Sequence, residues 1–172
     1  MWRSEIVELI ARAEEVTGKQ ITVESLRAAI KEVNDKRRAL QRIAVTRAAD
    51  PVPISGKDAL LATQVAFYDD VPRFTQAMNG LADELEARVA AGEGAAPRGA
   101  KRVLITGTPM ALPNWKLHDI VEKAGGVVVG EEMCTGSRYY QDLVSEEADT
   151  LDAIIDDIAA KYLDINCACF TP

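Results

Sequence analysis

Residues 101–140 read KRVLITGTPMALPNWKLHDIVEKAGGVVVGEEMCTGSRYY, and this stretch decides the fold. Residues 103–106 form a short apolar run that predicts a buried strand, and a helix is predicted from about Pro113 to Gly125. Residues 127–129 are all valine, which predicts a second buried strand. Strand, helix and strand in this order predict a βαβ unit with parallel pairing. We therefore expect an α/β fold whose parallel sheet is only partly contained in this chain.

The residues before the sheet, 1–91, predict a helical region. Apolar side chains recur at helical spacing up to Gly18, and again after Thr22, which can cap a second and longer helix. Pro51 and Pro53 then end that helix, because proline lacks the amide donor and restricts the residue before it. An all-helical first half is the expectation.

Two further helices and a linker are predicted before the sheet begins. Ser55 with Asp58 three residues later resembles a capping box that opens a helix, and another helix is predicted over residues 72–91. Residues 92–100, GEGAAPRGA, contain glycine and proline with little apolar content, which is typical of a linker. Residues 101–172 then form the partial α/β domain.

Composition narrows the classes of partner. The 172 residues are 48% hydrophobic and 27% charged, which is typical of a globular protein. A net charge of −7 argues against nucleic acid, and 5% aromatic residues argue against stacking platforms for bases. No uncharged apolar run approaches the ~18 residues that a membrane span needs. The first residues carry acids within their apolar pattern, so we expect a cytoplasmic protein without a signal peptide.

All three cysteines, Cys134, Cys167 and Cys169, lie in the last part of the chain. Their odd number and the expected reducing compartment disfavour structural disulfides. The remaining roles are buried apolar residue, reactive thiol or metal ligand, and the clustering favours a redox or metal-cluster site. A last helix capped by Thr150 leads through Ile165 to Cys167, where a third strand can form. In an extended segment Cys167 and Cys169 point the same way, so they can share a metal with Cys134, or one can be buried and the other free.

The loop at residues 130–140, GEEMCTGSRYY, is the richest candidate site. It follows a predicted strand, and the carboxyl ends of parallel strands are where ligands bind in open α/β sheets. Cys134 can ligate iron, and Arg138 can bind a carboxylate or phosphate as a fork. The alternative is a connecting loop in which Arg138 pairs with Glu131 or Glu132 and Cys134 is buried. Residue types alone leave both interpretations open.

The turn at Gly107 is a second candidate site, between the first predicted strand and its helix. Glycine lets the backbone turn tightly and approach a ligand. The sequence around it is neither a dinucleotide fingerprint nor a P-loop, so the turn is structural or contacts an anion or another ligand. His118 lies within the predicted helix, where an ordinary helix-face role is expected rather than metal binding.

Several short motifs in combination identify a known family. They are LITG (104–107), PMA (109–111), PNWK (113–116), GEE (130–132), CTG (134–136) followed by Arg138 and Tyr139, and NCACFTP (166–172), with Thr17, Gly18, Asn34, Arg37, Arg38 and PISG (53–56) in the helical half. With these motifs the chain resembles the 2-hydroxyacyl-CoA dehydratase and benzoyl-CoA reductase family. Within it the likeness is to the branch that includes double-cubane iron–sulfur cluster proteins.

The resemblance implies two Rossmann-like α/β domains joined by helices, with an iron–sulfur cluster between them, of the 4Fe-4S or double-cubane type. It implies Cys134, Cys167 and Cys169 as metal ligands, and Gly107 and Arg138 as contacts to the cofactor or substrate. An ATP-dependent activator protein would deliver one electron at low potential. The reaction implied is radical dehydration or reduction of an acyl-CoA or another small molecule, in anaerobic metabolism.

The resemblance also implies that this chain is a fragment. The first α/β domain of the family, which supplies cluster cysteines, has no counterpart here, so we expect the chain alone to be inactive although its parent is an enzyme. A dimer is expected. The alternative from a different class is a non-catalytic helical interaction or dimerisation module, in which residues 1–91 form the interacting surface.

Overall fold

The computed structural model describes residues 2–110 and 113–165. Cys167, Cys169 and the third strand predicted after Ile165 lie outside these residues. The elements in chain order are α1 (Trp2–Thr17), α2 (Val23–Thr46), α3 (Gly56–Val65), α4 (Val71–Ala91), β1 (Lys101–Thr106), α5 (Lys116–Lys123), β2 (Gly126–Glu132), α6 (Ser137–Tyr140) and α7 (Leu151–Leu163). Helices therefore dominate an α/β fold, as predicted. None of the helices in the described ranges is both long and apolar enough to cross a membrane.

The predicted parallel pairing is confirmed. β1 lies parallel to β2, in a register that runs from Lys101 opposite Gly126 to Thr106 opposite Glu132, with an irregularity after Val103. Helix α5 connects the two strands, which completes the βαβ unit. Because the strands are parallel, both carboxyl ends lie at one edge of the sheet.

The two strands differ in burial. Val127 and Val128 of β2 are fully buried, as their β-branched run predicted. In β1 only Ile105 is buried, and Leu104 is 63% exposed. The prediction of a buried first strand therefore holds for Ile105 and is wrong for Leu104. Within the described residues, the sheet has just these two strands, so little packs over the side chain of Leu104.

Helix ends largely follow the predicted signals. Helix α1 ends before Gly18, whose φ of +65° suits glycine. The Oγ of Ser55 accepts a hydrogen bond from the Asp58 amide at 3.0 Å, so the predicted cap is confirmed. Helix α5 begins at Lys116 rather than at Pro113, because Pro113 lies in a turn and residues 114–115 are irregular.

The described chain packs into two compact units. One comprises residues 2–34 with 142–165, and the other comprises residues 35–141. The core of the first is built around Ile30, Val144 and Ile154. The core of the second consists of three clusters, whose buried members are Ile43, Ile54, Ala59, Ala82 and Leu85, then Leu40, Ala66, Phe74 and Tyr140, then Ile105, Val128 and Met133. This division concerns packing and leaves the predicted domain boundaries at residues 92–100 as a prediction.

Candidate functional site

The carboxyl ends of β1 and β2 bring two predicted site residues to Glu132, one to its backbone carbonyl and one to its carboxylate. Gly107 follows β1 with φ +124°, and its amide donates to the carbonyl of Glu132 at 3.4 Å. Arg138 reaches the side chain of the same Glu132 from α6. Cys134 lies two residues beyond Glu132. The predicted candidates Gly107, Cys134 and Arg138 therefore share one edge of the sheet.

The carboxylate of Glu132 accepts three hydrogen bonds from two residues. The Nη2 of Arg138 donates to its Oε2 at 2.7 Å, and the Nε of Arg138 donates to its Oε1. The Oγ1 of Thr106, on β1, donates to Oε2 at 2.6 Å. The hydrogen bonds from Arg138 and then from Thr106 lower the pKa of Glu132. The guanidinium fork thus binds a carboxylate of its own loop, which is one of the two pairings expected of a connecting loop.

Cys134 is exposed and its thiol is not in a disulfide, so the alternative of a buried cysteine is wrong. The turn that carries it is anchored on both sides. Met133 is fully buried against Ile105 and Val128, and the Gly136 amide donates to the Met133 carbonyl at 2.9 Å. The thiol is therefore presented to solvent by a turn whose neighbouring residue is fixed in the core.

Gly136 has a steric requirement. A Cβ at this position would lie 2.1 Å from the carbonyl oxygen of Glu131, much closer than any real contact. Because the obstacle is backbone, no side-chain movement relieves it. The turn after Cys134 therefore folds directly onto the end of β2, and the glycine of the CTG motif is needed for that approach.

A buried charge cluster lies at the same end of β2. The Nη1 and Nη2 of Arg47 donate to the two carboxylate oxygens of Glu131 at 2.7 and 2.9 Å, and Nη2 also donates to the Val128 carbonyl at 2.9 Å. The Nε2 of His118 lies 3.1 Å from the Oε1 of Glu131. Burial by itself would raise the pKa of Glu131, but the hydrogen bonds and charges of Arg47 and His118 outweigh it and lower the pKa.

Sequence reasoning missed this cluster. The sequence pattern indicates Glu131 as a partner of Arg138 and as part of the GEE motif, and it indicates no role for Arg47. His118 is on α5 as expected, but it is fully buried rather than an ordinary helix-face residue. One signal could have found the cluster, because an acid that follows a buried valine run after a single glycine needs a buried counter-charge.

Metal ligation stays a prediction. Within residues 2–110 and 113–165, no group of three or more histidine, cysteine, aspartate or glutamate side chains is arranged to hold a metal ion. Two of the three predicted ligands, Cys167 and Cys169, lie outside those ranges. The described geometry therefore concerns one predicted ligand, Cys134, and its supporting contacts.

Comparison with known proteins agrees with the motifs. The family model of the 2-hydroxyglutaryl-CoA dehydratase D-component matches residues 1–172. A protein of Escherichia coli (strain K12) described as a dehydratase subunit, YjiM, is 35% identical over 100% of this chain and 44% of its own length. The (R)-phenyllactyl-CoA dehydratase beta subunit of Clostridium sporogenes is 26% identical over 88% of this chain and 39% of its own.

A third relative, one of the subunits of benzoyl-CoA reductase from Thauera aromatica, is 27% identical over 87% of this chain and 38% of its own length. The chain thus spans less than half the length of the curated relatives it matches. The family match over residues 1–172 and the 35% identity to the Escherichia coli protein confirm the resemblance seen in the motifs. The chain belongs to the 2-hydroxyglutaryl-CoA dehydratase D-component family, the family of the 2-hydroxyacyl-CoA dehydratases and benzoyl-CoA reductases.

Proposed function

We propose that this chain is part of an iron–sulfur enzyme that dehydrates or reduces an acyl-CoA. The observation that carries the proposal is the exposed, unbridged thiol of Cys134 at the carboxyl edge of a parallel strand pair, in a chain of the dehydratase family. The substrate class follows from the relatives, which are named for phenyllactyl-CoA and benzoyl-CoA. An ATP-dependent electron-donor protein is the proposed partner.

The chemistry of the loop fits an iron–sulfur cluster. Thiolate is the usual ligand of such clusters, and Cys134 is exposed rather than committed to the core. Cys134, Cys167 and Cys169 are the proposed ligands. When bound, the cluster would supply a single electron at low potential to the substrate. The residues of this chain hold the thiol in place and shape the edge at which a substrate can approach.

The number of cysteines indicates that this chain would supply only some of the cluster ligands. A 4Fe-4S cluster takes four cysteine ligands in most proteins, and this chain has three cysteines. A further ligand therefore comes from outside these 172 residues. The first α/β domain of the parent enzyme, which the family resemblance implies, would supply that ligand.

Gly107 and Arg138 have different proposed roles. Among the described residues, a Cβ built on Gly107 would meet nothing within 4 Å, so none of their side chains stands in the way of a ligand there. We assign Gly107 to contact with substrate or cofactor. Arg138 binds the carboxylate of Glu132, so its proposed role is to support the loop.

Anaerobic reconstitution with iron and sulfide tests the proposal. In the parent enzyme, which would supply the remaining ligand, we expect broad visible absorption and bound iron in the wild type, and loss of most of both in Cys134→Ser. Glu93→Gln, an exposed substitution at the end of α4, is the matched control and should bind as wild type does. Cys167→Ser and Cys169→Ser show whether the last segment contributes ligands. Equal iron and sulfide contents in wild type and Cys134→Ser would overturn the assignment of Cys134.

One observation favours the alternative of an interaction module. The unit formed by residues 2–34 and 142–165 has an almost wholly apolar groove of about 560 Å³. The groove is lined by Trp2, Glu5, Ile6, Leu9, Ile10, Leu26, Ile158 and Tyr162. Contiguous apolar surface of this kind is uncommon on monomers and marks association sites. A second copy of the chain is the proposed occupant, in agreement with the expected dimer.

Light scattering, which measures the mass in solution, tests whether the groove is a dimer interface. Leu9, 67% exposed at the groove, is replaced by glutamate, and Val45, 73% exposed on α2, is replaced by glutamate as the control. We expect the wild type and Val45→Glu to have the mass of a dimer and Leu9→Glu that of a monomer. A monomeric wild type would contradict the dimer proposal without affecting the cluster proposal.

A further inference from the structure

Arg47, Glu131 and His118 form a buried cluster at the end of β2, three residues before Cys134, and none of them is a proposed metal ligand. Their side chains are 3%, 3% and 0% exposed. They come from three places in the chain, the residue after α2, the end of β2 and helix α5. In the described residues, the Nε of Arg47 and the Nδ1 of His118 are buried without a hydrogen-bond partner. The cluster is thus costly to bury and incompletely satisfied.

Stability alone does not explain such a cluster. Removing charges from water costs several kcal/mol per ion, and replacing a buried ion pair with apolar residues of similar volume is often neutral or stabilising. An ion pair differs from an apolar contact because its hydrogen bonds fix the relative orientation of the two side chains. Arg47 binds both oxygens of one carboxylate, and such a bidentate pair fixes the orientation of Glu131.

The orientation of Glu131 is transmitted to the Cys134 turn through backbone. Arg47 also holds the Val128 carbonyl, so it fixes β2 at two points. The carbonyl oxygen of Glu131 is the surface on which Gly136 packs, without room for a methyl group between them. Cys134 lies between Glu131 and Gly136 in the chain. The buried cluster therefore fixes the backbone on which the Cys134 turn packs.

We propose that Arg47, Glu131 and His118 are positioning residues that set the direction of the Cys134 thiol. That the thiol is oriented in order to bind iron rests on the proposed function. The positioning itself is a property of the chain without iron. It can therefore be measured separately from cluster assembly.

The test is the mobility of a nitroxide spin label on Cys134, in a chain whose other cysteines are changed by Cys167→Ser and Cys169→Ser. In Glu131→Gln the amide keeps the size of the side chain and loses the charge that both nitrogens of Arg47 bind. We expect the label to rotate roughly twofold faster than in the parent chain. The turn that carries the label is held less firmly once residue 131 no longer pairs with the charge of Arg47. Amide hydrogen exchange of residues 132–136 should rise with it.

Two further variants separate positioning from stability. The double change Arg47→Met with Glu131→Leu replaces the ion pair by apolar side chains, so the chain is expected to stay folded while the label becomes mobile. Leu85→Ala creates a cavity in another core cluster and is the matched control, with lower stability and an unchanged label spectrum. A label as restricted in the double variant as in the parent, or equally mobile in Leu85→Ala, would overturn the proposal. Iron binding is not an arm of the test, so this result is independent of the reconstitution.

Discussion

Gly136 shows how much one hydrogen atom can matter at the residue scale. Gly136→Ala would bring a methyl group against the carbonyl oxygen of Glu131, at 2.1 Å before any adjustment. We expect a loss of stability of about 1–3 kcal/mol, the usual cost of overpacking. Urea unfolding measures it.

Gly80→Ala is the matched control for this substitution. Gly80 lies inside α4, and an added Cβ meets no atom of the described part of the chain within 4 Å. Because glycine is a poor helix residue, alanine there should stabilise the chain by about 0.5–1 kcal/mol. If Gly136→Ala unfolds at the same urea concentration as wild type, the close approach at Gly136 is not required.

The lowered pKa of Glu131 predicts that the unfolding free energy of the chain depends on pH. Its pKa is lowered in the folded chain, so its contribution to stability is fully present above the usual glutamate pKa of about 4.3 and is lost as the pH falls through the lowered value. Glu131→Gln leaves the buried guanidinium of Arg47 without its counter-charge, which costs about 3–5 kcal/mol. The difference in unfolding free energy between wild type and Glu131→Gln should therefore be large at pH 7 and shrink as the pH falls below about 4. A difference that stays constant down to about pH 2.5, well below the usual glutamate pKa, would contradict this account.

At the scale of elements, α7 depends on its cap. The Oγ1 of Thr150 accepts a hydrogen bond from the Ala153 amide at 3.3 Å. Thr150→Ala should cost about 1 kcal/mol, and Thr150→Ser should cost much less because it keeps the acceptor. Thermal unfolding compares the three chains. Equal midpoints for the alanine and serine variants would show that this hydrogen bond contributes nothing.

Local signals made the elements predictable. The cap at Thr150, the cap at Ser55 and the stop at Gly18 each depend on residues within three or four positions, so the sequence shows both partners at once. The valine run predicted β2 for the same reason. The exposure of Leu104 was not predictable in this way, since it depends on what packs across the sheet.

Long-range pairing made half of the site unpredictable. Arg47 and Glu131 are 84 positions apart, and no local pattern connects them. Glu131 and Glu132 are identical in type and adjacent, yet the first is buried with Arg47 and the second binds Arg138. Alternation along a strand does predict that two consecutive glutamates face opposite sides, but it does not say which partner each will find.

For the whole molecule, charge predicts solution behaviour. The net charge is −7 and the isoelectric point of the sequence is about 4.8. Mutual repulsion vanishes when the net charge does, so solubility at low salt should be lowest near pH 4.8 and recover on either side. Turbidity across a pH series measures this. A minimum about one pH unit or more above that point would mean that the carboxylates do not dominate the titration.

The order in which the chain is made has a consequence for the unit built from residues 2–34 and 142–165. Asn34 binds the Val144 carbonyl from 110 positions away, and residues 35–141 between them belong to the other unit. On the ribosome, the first helices therefore emerge long before the segment that completes their core, while residues 35–141 can already fold. The apolar faces of α1 and the start of α2 stay exposed during that interval. Early chaperone binding is expected to concentrate there.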